Sequence, residues 1–80
     1  MFFYVYILQS EQNANRFYVG RTIDLSARLA KHNAGEVLYT SKFKPWRIRT
    51  AVAFNELTRA VEFERYLKTS SGRAFAKKRL

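Results

Sequence analysis

The chain has no cysteine. That absence excludes a disulfide scaffold, a cysteine-based zinc finger and a thiol nucleophile. A single histidine also excludes chemistry that needs a pair of them. With one proline and three glycines in 80 residues, there is no Pro/Gly-rich linker and no glycine-rich phosphate loop. No apolar run approaches the roughly 20 residues a transmembrane helix needs. Residues 1–8 are apolar but too short and too aromatic for a signal peptide, and no charged segment precedes them. Acidic residues are scarce as well: 6 Asp+Glu face 15 Lys+Arg, a net charge of +9.

What is present is enough for a folded core. Apolar types make up 48% of the chain and aromatics 16%, well above the content of a disordered segment. The length fits one domain, which buries only about 60–65% of its unfolded surface. The expectation is a single, small, strongly basic, cytoplasmic domain over residues 1–80, with no membrane segment. The charge points to a polyanion partner. Between residues 65 and 80 there are six basic side chains (Arg65, Lys68, Arg73, Lys77, Lys78, Arg79) and no acidic one. That basic end lacks the broad apolar face of a membrane-surface helix.

Residues 2–8 (FFYVYIL) are β-branched and aromatic throughout, as in a strand covered on both faces. Residues 9–15 read as a hairpin connection, and residues 16–21 (RFYVGR) as the return strand. Asp24 is a good N-cap for a helix running to Lys31 or His32, with Gly35 just past its end. Residues 33–45 read as a loop. A third strand follows over 46–54, with Trp46, Ile48, Val52 and Phe54 expected on one side. Residues 57–68 have helical periodicity, Ser70-Ser71-Gly72 reads as a break, and 73–80 as a short last helix. The order β-β-α-β-α-α predicts an α+β fold, a small three-stranded sheet, at least partly antiparallel, flanked by helices.

Polar groups that interrupt the apolar pattern are the candidate site. On the second helix Glu64 falls inside the stripe formed by Leu57, Ala60, Val61, Phe63 and Leu67. A carboxylate there is costly unless it is paired or binds a cation. A structural salt bridge, with Lys68 one turn on, and a catalytic or metal-binding role are both open from the residues alone. On the first helix Arg28 and His32 are spaced i,i+4 and share a face beside Leu25 and Leu29. By residue type alone the first is an ordinary surface charge and the second an ordinary hydrogen-bonding histidine. Hairpin pairing brings Tyr6 near Tyr18.

Together these residues resemble a known pattern. Val5-Tyr6-Ile7, ten residues, then Tyr18-Val19-Gly20 is similar to the paired tripeptides of the GIY-YIG nuclease domain family. Residues 21–25 (RTIDL), followed by Arg28-Leu29 and His32-Asn33-x-Gly35, resemble its helix motif. Ala60-x-x-x-Glu64-x-x-Leu67-Lys68 resembles its carboxylate motif. The small bacterial members, related to the N-terminal nuclease domain of the bacterial excinuclease, are the most similar. The resemblance implies a metal-dependent endonuclease that hydrolyses phosphodiesters in DNA, selective for structure rather than sequence. No residue separates DNA from RNA.

Carried over by position, it implies Tyr6 and Tyr18 as paired active-site tyrosines, with Tyr6 as proton acceptor once ionised by nearby cations. It implies Arg28 as the catalytic arginine, His32 as an assisting residue and Glu64 as sole ligand of Mg²⁺ or Mn²⁺. Arg21, Lys68 and Arg73 are the candidates for holding phosphate. Val5 stands where the family name has glycine. No Asn follows Asn55 to serve as the polar residue that many members carry on a late helix. Two rival readings remain: a basic nucleic-acid-binding module with little or no catalysis, and an adaptor for an acidic protein.

Overall fold

The apolar run at the start of the chain becomes the middle strand of the sheet. The computed structural model describes residues 1–80. Its elements are β1 (Phe3–Ser10), β2 (Phe17–Thr22), α1 (Leu25–Asn33), a 3₁₀ segment (Leu38–Phe43), β3 (Trp46–Phe54), α2 (Leu57–Leu67) and α3 (Ser70–Arg79). The strand order is β2-β1-β3, and β1 is antiparallel to both neighbours. The α+β expectation therefore holds, with every pairing antiparallel.

A middle strand must satisfy two layers. Val5 and Ile7 point to one face, where Ala60 and Leu67 of α2 close a core that Ala76 and Leu80 also cover. Tyr6 and Leu8 point to the other, packed with Trp46, Leu25, Leu29 and Phe43. Helices thus lie on both faces of the sheet.

Four expectations are corrected. β1 runs on to Ser10, because Gln9 and Ser10 are buried with their polar atoms satisfied. Gln9 donates to the Ala14 carbonyl (2.9 Å), and Ser10 Oγ donates to that of Phe43 (2.6 Å). Next, β3 does not keep its apolar residues on one side. Leu8 pairs with Ile48 but Ile7 pairs with Thr50, so Arg49 forms a bulge. That extra residue reverses the faces: Trp46 and Ile48 join Tyr6, whereas Val52 and Phe54 lie opposite Val5 and Phe3.

The other two lie between the elements. Residues 33–45 are not all loop, since Leu38–Phe43 forms a 3₁₀ turn. Before it, Gly35 takes φ 78°, which lets Glu36 N–H reach back to the Lys31 carbonyl (3.1 Å) and close α1. Finally, Ser70-Ser71-Gly72 opens α3 instead of breaking a helix. The Thr69 hydroxyl caps that helix by accepting from Gly72 N–H at 3.1 Å. Gly72 is buried against the last turn of α2, where a Cβ would overlap the Tyr66 carbonyl.

Gly72→Ala is therefore expected to lower the unfolding free energy by about 1–3 kcal/mol, read as an earlier urea midpoint at unchanged slope. Wild-type stability would show that α3 can move off α2 without cost.

Candidate active site

The site begins with a missing side chain. Gly20 on β2 pairs with Tyr6 on β1, and a Cβ at Gly20 would overlap the Tyr6 hydroxyl. Glycine thus lets the Tyr6 ring lie flat across its neighbouring strand. Tyr18 shares that face, its ring centroid 6.5 Å from that of Tyr6, as the hairpin reading expected.

From α1, which Asp24 caps by accepting from Ala27 N–H at 3.0 Å, come His32 and Arg28. His32 is fully buried and lies 5.0 Å from the Tyr18 ring, centroid to centroid. Its Nε2 is 3.0 Å from the Tyr6 hydroxyl and its Nδ1 2.7 Å from Thr40 Oγ1. Thr40 Oγ1 in turn donates to the Val37 carbonyl at 3.2 Å.

The partners set the direction of this chain. Arg28 can only donate to Tyr6, so the Tyr6 proton needs another acceptor, and His32 Nε2 is the one in reach. The imidazole proton then sits on Nδ1 and is given to Thr40, whose own proton goes to Val37. Read in the opposite sense, a buried tyrosine O–H would lack an acceptor.

The charges follow from the same packing. Burial, aided by the nearby Arg28 cation, lowers the His32 pKa, so the ring is neutral. Burial raises the Tyr6 pKa, and Arg28 opposes that rise without reversing it. Tyr6 is therefore a phenol, which corrects the expectation of a hydroxyl ionised by nearby cations. Its hydroxyl in return holds Arg28 more firmly protonated.

Around the edge of β2 lies Glu64. The α2 stripe leaves its side chain 18% exposed, and both its oxygens are engaged. Arg21 Nε lies 3.1 Å from Oε1, and Lys68 Nζ 3.0 Å from Oε2. Two of the three expected phosphate-holding residues therefore hold a carboxylate instead. The third, Arg73, makes no ion pair and faces an open groove beside Lys68. No group of three acidic, histidine or cysteine side chains forms a metal-binding cluster. The donor set at Glu64 still suits Mg²⁺, which takes one or two carboxylates and completes its shell with water and phosphate oxygen. Two cationic nitrogens already sit on its oxygens.

Sequence reasoning missed Thr40, which sits in a segment too short for any periodicity. It also grouped Asn33 with the functional motif. The Asn33 side chain instead clamps the Trp46 backbone, accepting from N–H at 2.6 Å and donating to the carbonyl at 3.0 Å. That clamp fixes the end of α1, and with it His32, against β3.

Comparison with known proteins fits this arrangement. The model of one family, described as the GIY-YIG catalytic domain, matches residues 2–79. The chain belongs to the GIY-YIG family. Among its GIY-YIG relatives, the structure-specific endonuclease subunit SLX1 of Scheffersomyces stipitis is 40% identical over 70 residues. That match takes in 79% of this chain but only 21% of the yeast protein. The fold is similar to the solution structure of the UPF0213 protein BH0048 from Bacillus halodurans, with a TM-score of 0.57 at 32% identity. The superposition covers 96% of this chain and 81% of that one.

Two outcomes test the electrostatics. The depressed His32 pKa means that the unfolded chain binds more protons just below the ordinary histidine value of about 6.5. Stability is expected to be complete above that pH and to fall as pH drops through the folded-state pKa. His32→Gln should flatten that part of the curve in urea titrations. Glu64→Ala should change the unfolding free energy by less than about 1 kcal/mol, because Arg21 and Lys68 are solvent-exposed partners. A loss of several kcal/mol would make the carboxylate a structural element.

Proposed function

We propose that this domain hydrolyses phosphodiester bonds in DNA, using a divalent cation (Mg²⁺ or Mn²⁺) held at Glu64. We further propose selection by DNA structure rather than sequence. The directed chain Tyr6–His32–Thr40, with Arg28 beside the phenol, carries the reading. A structural core has no need of a buried tyrosine whose proton is handed to a neutral histidine. The relative's name, a structure-specific endonuclease subunit, supports the same class of reaction.

Each residue has a definable task. The Arg28 guanidinium offsets the charge that grows on the phosphate as water attacks. Tyr6 takes a proton from that water while passing its own to His32 Nε2, so the phenol stays neutral and the proton rests on the imidazole. A P–O bond forms to the water oxygen, and the bond to the leaving oxygen breaks. Thr40 accepts from Nδ1 throughout and keeps the ring facing Tyr6. A divalent cation at Glu64 would supply polarisation of the phosphate and stabilisation of the leaving oxygen. Arg21 and Lys68, displaced from Glu64, would be free to hold substrate phosphate. Phosphate contacts of this kind carry no base sequence, which fits selection by structure.

The occupied carboxylate also supports a second reading, a binding module without turnover, because both Glu64 oxygens are already neutralised.

Nicking of supercoiled plasmid separates the two. Wild type is expected to nick with Mg²⁺ or Mn²⁺ and not with EDTA. Arg28→Ala and Glu64→Ala should lose at least about 100-fold, and Tyr6→Phe about 100- to 10,000-fold. The rate should fall on the acid side only below about pH 6.5, since His32 must be neutral to accept a proton. Nicking by wild type no faster than by Arg28→Ala and Glu64→Ala would exclude the nuclease.

A further inference from the structure

Beyond the tyrosines, an open groove of about 1030 Å³ starts between the β1–β2 hairpin and α3 and bends over the free edge of β2 to Tyr18. Five cationic side chains line it, namely Arg16, Arg49, Lys68, Arg73 and Lys77, and no carboxylate does. Only Lys68 among them has an acidic partner. Like charges gathered around one concavity repel, and a polyanion relieves that cost. The groove also displays aromatic faces. Phe17 at the hairpin end is 49% exposed, and Tyr39 on the 3₁₀ segment is 79% exposed. Arg49 lies over the Phe17 ring at 5.7 Å, and the Tyr39 ring is 5.9 Å from that of Tyr18.

We propose that this groove binds single-stranded nucleic acid, with phosphates along the cations and unpaired bases stacked on Phe17 and Tyr39. The combination decides against a duplex, whose bases are stacked on one another and offer no free face to an aromatic side chain. Cations with sequence-tolerant stacking platforms are the recurring composition of single-strand grooves. Phe17 and Tyr18 point to opposite faces of β2. A strand laid along Lys77 and Arg73 therefore crosses the sheet edge at Lys68 and arrives at the tyrosine pair. The inference rests on the nuclease reading only for its meaning, since it assigns the unpaired strand of a structured substrate to this path. Its test does not require turnover.

Binding of a fluorescein-labelled oligothymidylate and of a mixed-sequence duplex of equal length would be measured by anisotropy, in EDTA, across a salt series. The single strand is expected to bind at least tenfold more tightly. Phe17→Ala should cost the single strand roughly tenfold and the duplex little, and Phe17→Trp should restore the loss. Lys77→Ala should reduce the log–log salt slope by about 0.7. Melting curves confirm that each variant is folded. Equal or tighter binding of the duplex overturns the proposal, as does an unchanged affinity in folded Phe17→Ala. Displacement of the single strand by polyglutamate at equal charge concentration would assign the groove to an acidic peptide instead. Metal-dependent nicking without single-strand preference removes the groove and leaves the nuclease, whereas preference without nicking does the reverse.

Discussion

A tyrosine hydroxyl held inside the fold is the constraint on which the rest depends. Tyr6 is on the middle strand, 2% exposed, yet its oxygen lies over the edge strand because Gly20 offers no side chain. A buried phenol needs an acceptor, and His32 supplies it at 3.0 Å. His32 in turn needs Thr40, and the 3₁₀ segment carrying Thr40 is held down by Trp46, whose indole donates to the Thr40 carbonyl at 2.8 Å. Asn33 ties the same tryptophan backbone to α1. The tyrosine, the histidine and the clamp form one continuous hydrogen-bonded body.

The second feature is a balance of charge. Most of the net +9 has no partner, and the site spends two of its cations on a single carboxylate. Glu64, Arg21 and Lys68 form an exposed cluster in which each contact is weak alone. Such a cluster can exchange partners readily, cation for cation at Glu64 and carboxylate for phosphate at Arg21 and Lys68. The rigid half of the site, around Tyr6, and the exchangeable half, around Glu64, meet at the edge of β2. The protonation of His32 is set by burial and by Arg28, not by this outer cluster.

Much of this could be read from the residues. The strands, both main helices, the Asp24 cap and the nearness of Tyr6 to Tyr18 follow from alternation, periodicity and hairpin pairing. The GIY-YIG tripeptides and the helix and carboxylate motifs located the site. What escaped has physical reasons. The β3 bulge costs one residue and leaves no periodic trace, yet it turns Trp46 and Ile48 toward Tyr6. The Arg21–Glu64 pair spans 43 positions and exists only because α2 packs beside β2. Thr40 is eight residues from His32, in a single tight turn. The expectation of an ionised Tyr6 fails on magnitude, since desolvation of a buried phenol outweighs one neighbouring guanidinium.

The direction of the hydrogen-bond chain through His32 is the central claim, because it makes Tyr6 a donor to a neutral acceptor. Imidazole nitrogen shifts of His32 across a pH titration by NMR measure that direction. The expected result is the Nδ1–H tautomer, persisting neutral to below pH ~6.5. An Nε2–H tautomer, or titration at or above that value, would contradict it.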